Sequence, residues 1–175
     1  KLFDTMVVFD RKFKGGYGWL FPKGDIANLG VGAENLVPDM LEDVAEFFGE
    51  FIVKKPITKT GGAIPIGGLR EKISDDKIFL VGDAAGTTDP ITGAGIANAY
   101  DSGKIAGAIV AEALKSPSNS EHKNLSSTYD KKIRFLKRAL DRTLRRRKNL
   151  LNNWNKDDEE FINAIRRAWN FRQID

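Results

Sequence analysis

The chain has 175 residues, 41% hydrophobic and 30% charged, an ordinary globular balance with enough length for a packed core. It has no cysteine and a single histidine, His122, in a polar stretch, which argues against disulfides, thiolate or histidine-rich metal sites and a Ser-His-Asp triad. The net charge of +4 is unevenly spread: residues 123–148 hold eleven basic side chains against Asp130 and Asp141, so the remainder is net acidic.

In chain order, residues 2–9 read as a strand, with Val7, Val8 and Phe9 as β-formers. A turn region covers 10–16. Residues 17–22 form a second strand, Lys23-Gly24-Asp25 a tight turn, and 26–33 a third strand. Such short connections imply antiparallel neighbours. On the second strand Tyr17, Trp19 and Phe21 share one face and Gly18 and Leu20 the other. The three rings make a wall that is either sheet core under a helix or a surface for an apolar ligand. Residues 37–52 carry Val37, Leu41, Val44, Phe48 and Phe51 or Ile52 at helical spacing. Pro38 suits a first turn there, and Asp39, Glu42 and Asp43 suit the dipole. Residues 54–60 read as a short strand. Gly61, Gly62, Gly67 and Gly68 with Pro65 form a loop, either mobile or lying close to another group. No Lys-Ser or Lys-Thr pair follows, so it is not a P-loop. A Ser74-Asp75-Asp76 turn leads on.

The chain is organised around residues 78–99. Residues 78–81 are continuously apolar, as for a short strand covered on both faces. Gly82 lets the chain leave sharply, and Asp83 can accept hydrogen bonds from two hydroxyls. Ala84, Ala85 and Gly86 allow close approach to the backbone. Residues 90–92 make a turn, and Gly93 and Gly95 bring bare backbone to a helix running to about Leu114. Its N-terminus offers free amides and partial positive charge. The whole suits a large, flat, hydroxylated, electron-rich ligand. Asp89, beside Pro90, reads as a turn residue. Gly93-x-Gly95-x-x-Asn98 lacks the third glycine of a dinucleotide fingerprint and no strand leads directly into it.

Residues 116–124 read as a linker. A long helix is expected over 125–154, with Tyr129, Ile133, Leu136, Leu140, Leu144, Leu151 and Trp154 as its apolar stripe and the basic residues opposite. That basic face is either solvated or attracted to anionic lipid head groups or to a phosphorylated lipid substrate. It lacks any recognised nucleic-acid motif, and nucleic acid is not expected as a partner. Asp157 and Glu160 have the spacing of a capping box, ahead of a last helix bearing Phe161, Ile165, Ala168 and Trp169.

Gly82-Asp83-Ala84-Ala85-Gly86 followed by Pro90-x-x-Gly93-Ala94-Gly95-Ile96 resembles the second flavin-binding motif of FAD-dependent oxidoreductases related to para-hydroxybenzoate hydroxylase. Tyr17-Gly18-Trp19-Leu20-Phe21-Pro22 matches the Tyr-x-Trp-x-Phe-Pro motif of the geranylgeranyl reductases, and residues 61–68 resemble the glycine-rich segment of those enzymes. The matches run from about Gly15 to Leu114. One departure is Lys14, where the family often has a proline.

The resemblance implies an α+β chain in which an antiparallel sheet packs with helices. It would carry the C-terminal strand-helix part of an FAD-binding domain, then a helical C-terminal region. The expected divisions are 1–70 for substrate, 71–115 for the flavin motif and 116–175 for the helices. By the same resemblance Asp83 binds the ribityl chain of FAD, with Gly82, Ala84, Ala85, Gly86, Pro90, Gly93, Ala94, Gly95 and Ile96 around the cofactor. Tyr17, Trp19, Phe21, Pro22, Gly61, Gly62 and Pro65 would face an isoprenoid lipid. The resemblance assigns no catalytic residue and leaves NADPH or ferredoxin open as electron donor. The G-x-G-x-x-G unit and upstream cysteine of such enzymes are not in this sequence, and it begins at Lys1; the chain is read as a fragment.

The leading expectation is therefore reduction of carbon–carbon double bonds in a geranylgeranyl group on a lipid or chlorophyll-type precursor. A flavin-dependent aromatic hydroxylase and a non-catalytic basic module binding membrane or nucleic acid remain alternatives. No apolar run of membrane-spanning length and no signal peptide are visible, so a cytoplasmic protein is expected, touching membrane through residues 125–150.

Overall fold

Three antiparallel strands come first: β1 (Met6–Val8), β2 (Tyr17–Lys23) and β3 (Ile26–Gly32), in that spatial order. The structure is a computed structural model that describes residues 4–53, 55–75, 78–115 and 124–171. Gly24 takes a φ of 69° in the β2–β3 turn, a conformation that favours glycine. Register pairs Trp19 with Gly30 and Leu20 with Leu29. The first strand is shorter than expected. Helix α1 (Asp39–Phe47) is also shorter, because Phe48 leaves helical geometry and the chain continues in turns.

The chain divides into two compact units, one of residues 1–62 with 149–175 and the other of 63–148. In the first unit Phe13, Leu20, Val44 and Phe48 form one buried cluster. A Cβ on Gly18 would lie 2.5 Å from Val44, so α1 sits directly on the Gly18/Leu20 face of β2. Residues 55–60 were expected as a strand and are not one. Pro56 has no amide to donate, Ile57 is 82% exposed, and no strand lies beside them among the described residues.

The second unit contains β4 (Ser74–Asp75) and β5 (Ile78–Phe79), an antiparallel pair. Ser74 and Asp75 are thus strand rather than turn. The Ser74 hydroxyl reaches Asp130 Oδ1 at 2.8 Å, which ties β4 to the helix carrying Asp130. The strand expected over 78–81 is two residues long and not covered on both faces. Ile78 is 64% exposed, because β5 has one neighbour among the described residues.

One helical turn, α2 (Gly82–Ala85), follows, then α3 (Ile96–Lys115), α4 (Leu125–Lys132), α5 (Arg134–Asn152) and α6 (Asp158–Trp169). The single helix expected over 125–154 is broken at Ile133, whose ψ of −3° leaves helical values. Ile133 stays buried with Tyr129, Leu136 and Leu140 around Ile73, Ala85, Ala106 and Ile109, so the stripe serves one core across the break. Further along, Leu150 and not Leu151 is the buried residue. The amide of Glu160 donates to the Asp157 carboxylate at 2.9 Å, capping α6 as its sequence implies. The expected linker and His122 lie outside the described residues, Asn124 apart. No described helix is long and apolar enough to cross a membrane.

Candidate functional site

The turn between β5 and α3 is built from residues too small to fill it. Val81 is extended, then Gly82 turns into α2 with a φ of 53° and Gly86 ends it at 76°. A Cβ on Gly86 would lie 2.4 Å from the Gly68 carbonyl oxygen, and one on Gly93 3.2 Å from Ile64. The 63–68 loop therefore lies against this turn through backbone. Ser102 holds the assembly from below: its hydroxyl accepts from Gly82 N at 3.0 Å and donates to Asn98 O at 2.8 Å. Asn98 in turn donates to Thr87 O at 2.7 Å.

Asp89 closes the following loop. Its carboxylate accepts from the amides of Ile91 and Thr92, both at 2.9 Å, so it is the turn residue that its place beside Pro90 suggests. The chain then enters α3 at Gly95, whose carbonyl accepts the Ala99 amide at 2.8 Å. The helix therefore starts later than Gly93. Its first amides have no intrahelical partner, and Ile96 beside them is 90% exposed.

Asp83 stands at this helix start. A Cβ on Gly95 would lie 3.5 Å from Asp83 Oδ1 and 3.0 Å from Thr88 Oγ1. Thr88 donates to Asp83 Oδ1 at 2.7 Å, and among the described residues Asp83 Oδ2 has no partner. The result is an exposed carboxylate with one oxygen fixed and one open, beside uncovered helix amides and flanked by the small, exposed Ala84 and Ala94. Such an arrangement can accept from a polyol hydroxyl while the amides meet an electron-rich edge. This is the pattern that the ribityl chain and ring of FAD require, and the residues fit it.

Residues 82–96 thus come together as one site in the second unit, joined by the loop around Pro65. Sequence reasoning missed three contributors. Thr88 orients Asp83. Thr87 is wholly buried, and its hydroxyl has no partner among the described residues. Arg147 is 6% exposed and donates through Nη1 to Pro90 O at 3.0 Å, pinning the loop. A signal for Arg147 existed: it follows Leu140 and Leu144 at the spacing of the apolar stripe.

The aromatic wall lies in the first unit. Tyr17 and Trp19 have ring centroids 5.7 Å apart, and Trp19 stacks on Phe21 at 6.0 Å. All three are partly exposed, while Leu20 on the other face is fully buried, so the rings are not the sheet's main core. A Cβ on Gly30 would overlap the Trp19 indole at 2.2 Å, so the ring lies flat across Gly30, and its Nε1 donates to Asn28 at 2.7 Å. Sequence reasoning missed the wall's extension. Trp169 meets Tyr17 at 4.8 Å and Phe9 at 5.2 Å, and Phe171 stacks on Trp169 at 5.7 Å. Pro22 continues β2, paired with Ala27. Gly61 and Gly62 are exposed, and no described residue comes within 4 Å of a Cβ built on either.

No family model matches the sequence. The chain is 36% identical over 162 residues to digeranylgeranylglycerophospholipid reductase 3 of Methanosphaera stadtmanae, covering 88% of this chain and 40% of that protein. It is 43% identical over 127 residues to digeranylgeranylglycerophospholipid reductase of Methanosarcina acetivorans, covering 69% and 31%. The crystal structure of a geranylgeranyl bacteriochlorophyll reductase-like protein from Thermoplasma acidophilum superposes with a TM-score of 0.71 at 26% identity, covering 95% of this chain and 48% of that one. Over most of its length the chain is similar to geranylgeranyl reductases. It spans 40% or less of the length of these two curated relatives, and its α+β fold is the family's.

Proposed function

We propose that the protein containing this chain uses FAD to reduce carbon–carbon double bonds in a geranylgeranyl group on a lipid or chlorophyll-type precursor. The observation that carries the reading is the Asp83–Thr88 pair at the bare start of α3, in a chain whose relatives are named for geranylgeranyl lipid reduction. Held at this site, reduced FAD would supply a hydride for one alkene carbon, and a proton is added at the neighbouring carbon. Asp83 accepts from the ribityl hydroxyls, and Thr88 keeps its carboxylate turned toward them. The amides at the start of α3 would favour negative charge on a flavin ring held there. Tyr17, Trp19 and Phe21 give a flat apolar surface for a polyisoprenoid, which flexible side chains would offer only at a larger cost in entropy.

The test is made on the whole protein. Flavin is titrated by fluorescence, and a geranylgeranyl glycerolipid is incubated with protein, FAD and dithionite and then weighed by mass spectrometry. The expected product gains two hydrogens for each reduced bond, and Asp83→Ala weakens flavin binding. A product that gains oxygen under air would replace the reading with a hydroxylase. Failure to bind flavin would remove it.

A further inference from the structure

Helix α5 carries eight cations and one acid, Asp141, whose carboxylate is 3.3 Å from Lys137 Nζ. Its two sides differ sharply. Leu136 and Leu140 are buried on one side, with Arg147 beside them. At 100° per residue, Arg134, Arg138, Arg142, Arg145 and Arg146 fall within one arc on the opposite side. All five are exposed, and among the described residues none has a hydrogen-bond or ion-pair partner. They line about 18 Å of helix.

Phe135 lies inside the same arc, with Arg138 at i+3 and Arg142 at i+7, and is 53% exposed. A merely solvated face gains nothing from a bare phenyl ring among five guanidinium groups. An interface does: the cations meet anionic phosphates while the ring passes beneath them into apolar surroundings. Arginine also grips phosphate oxygens in pairs, which lysine does not.

We infer that this face of α5 docks the protein onto an anionic phospholipid surface, with the five arginines on the head-group phosphates and Phe135 entering the layer. Nucleic acid would satisfy the arginines equally well, but one ring on a helix is not a stacking platform, and nothing beside it reads base edges. The inference is independent of the flavin reading, since docking requires neither cofactor nor isoprenoid.

The experiment is vesicle sedimentation with the whole protein, free of flavin and substrate. Vesicles are phosphatidylcholine alone or phosphatidylcholine with phosphatidylglycerol. Binding is expected only to the second, and it should weaken as salt rises. Replacing Arg138, Arg142 and Arg145 together by Gln should lower affinity on the order of a hundredfold, from about fivefold per cation. Replacing them by Lys, which keeps the charge but not the paired grip, should give an affinity between those of wild type and the Gln variant. Phe135→Ala should cost about tenfold. All these positions are exposed, and circular dichroism melts verify that each variant folds. Equal sedimentation of wild type and the Gln variant would overturn the inference. So would tighter binding to duplex DNA than to anionic vesicles, or an unchanged affinity in Phe135→Ala.

Discussion

The Trp169 indole stands edge-on to the Tyr17 ring, at 4.8 Å and 87° between planes. This contact joins the last turn of α6 to the first residue of β2, and Phe9 and Phe171 close around it. Trp169 therefore anchors the C-terminal helix as well as lengthening the aromatic wall. Trp169→Ala is expected to destabilise the protein by about 2 kcal/mol, while Trp169→Phe, which keeps a ring at the site, should cost less than about 1 kcal/mol. Urea unfolding of the three proteins checks this. Equal midpoints would mean that α6 is held without the indole.

The Trp169 contact was not legible in the sequence. Periodicity marked Phe161, Ile165, Ala168 and Trp169 as one face of a helix, but a face does not say what it meets. Local chemistry was more readable. The Lys23-Gly24-Asp25 turn set the β2–β3 pairing, alternation put Tyr17, Trp19 and Phe21 on one side, and Asp157 capped α6. The break at Ile133 leaves no mark in the hydrophobic pattern, because Tyr129, Ile133, Leu136 and Leu140 serve one core whether the helix is straight or bent. The residues around Asp83 were legible as a motif. Its orientation was not, because the bond from Thr88 depends on how the loop folds back. Arg147 was hidden within a run of three arginines, of which only the third turns inward.

The Thr88 bond yields a graded expectation for cofactor binding. Thr88→Val keeps the shape but frees Asp83 Oδ1, so the carboxylate loses its fixed direction. FAD affinity should fall by about tenfold, the equivalent of one hydrogen bond. Asp83→Ala should cost more, since it removes the acceptor itself. Fluorescence titration of the whole protein ranks the two. Thr88→Val binding as weakly as Asp83→Ala, with an unchanged unfolding midpoint, would mean that the hydroxyl itself contacts the ligand.

Gly86 and Gly24 both have positive φ but differ in surroundings. A Cβ on Gly86 would lie 2.4 Å from Gly68 O, whereas one on Gly24 meets nothing within 4 Å. Gly24→Ala should therefore cost about 1–2 kcal/mol from backbone conformation alone. Gly86→Ala must also push the 63–68 loop away, and should cost about 3 kcal/mol or more. It should weaken flavin binding too, because that loop lies against the turn bearing Asp83. Thermal melts of both variants, with the titration above, separate strain from loss of the site.

Tyr129 gives the protein a dependence on alkaline pH. Its ring is fully buried and its hydroxyl donates to Leu80 O at 2.7 Å. Burial, with Asp130 adding its negative charge, raises its pKa above the ordinary 10.0. A raised folded-state pKa means that the unfolded chain releases this proton first as pH rises. The contribution of Tyr129 to stability is thus fully present below about pH 10, the unfolded value, and is lost as pH climbs through the folded one. Tyr129→Phe should cost about 1 kcal/mol at neutral pH by leaving Leu80 O without its donor. Above about pH 10 the gap between wild type and variant should narrow, because the variant has no hydroxyl at this position to ionise. Urea unfolding of both proteins across this range reads the difference directly, since every other titrating group is common to the pair. A constant gap would mean that the hydroxyl ionises as readily in the folded protein as in the unfolded chain.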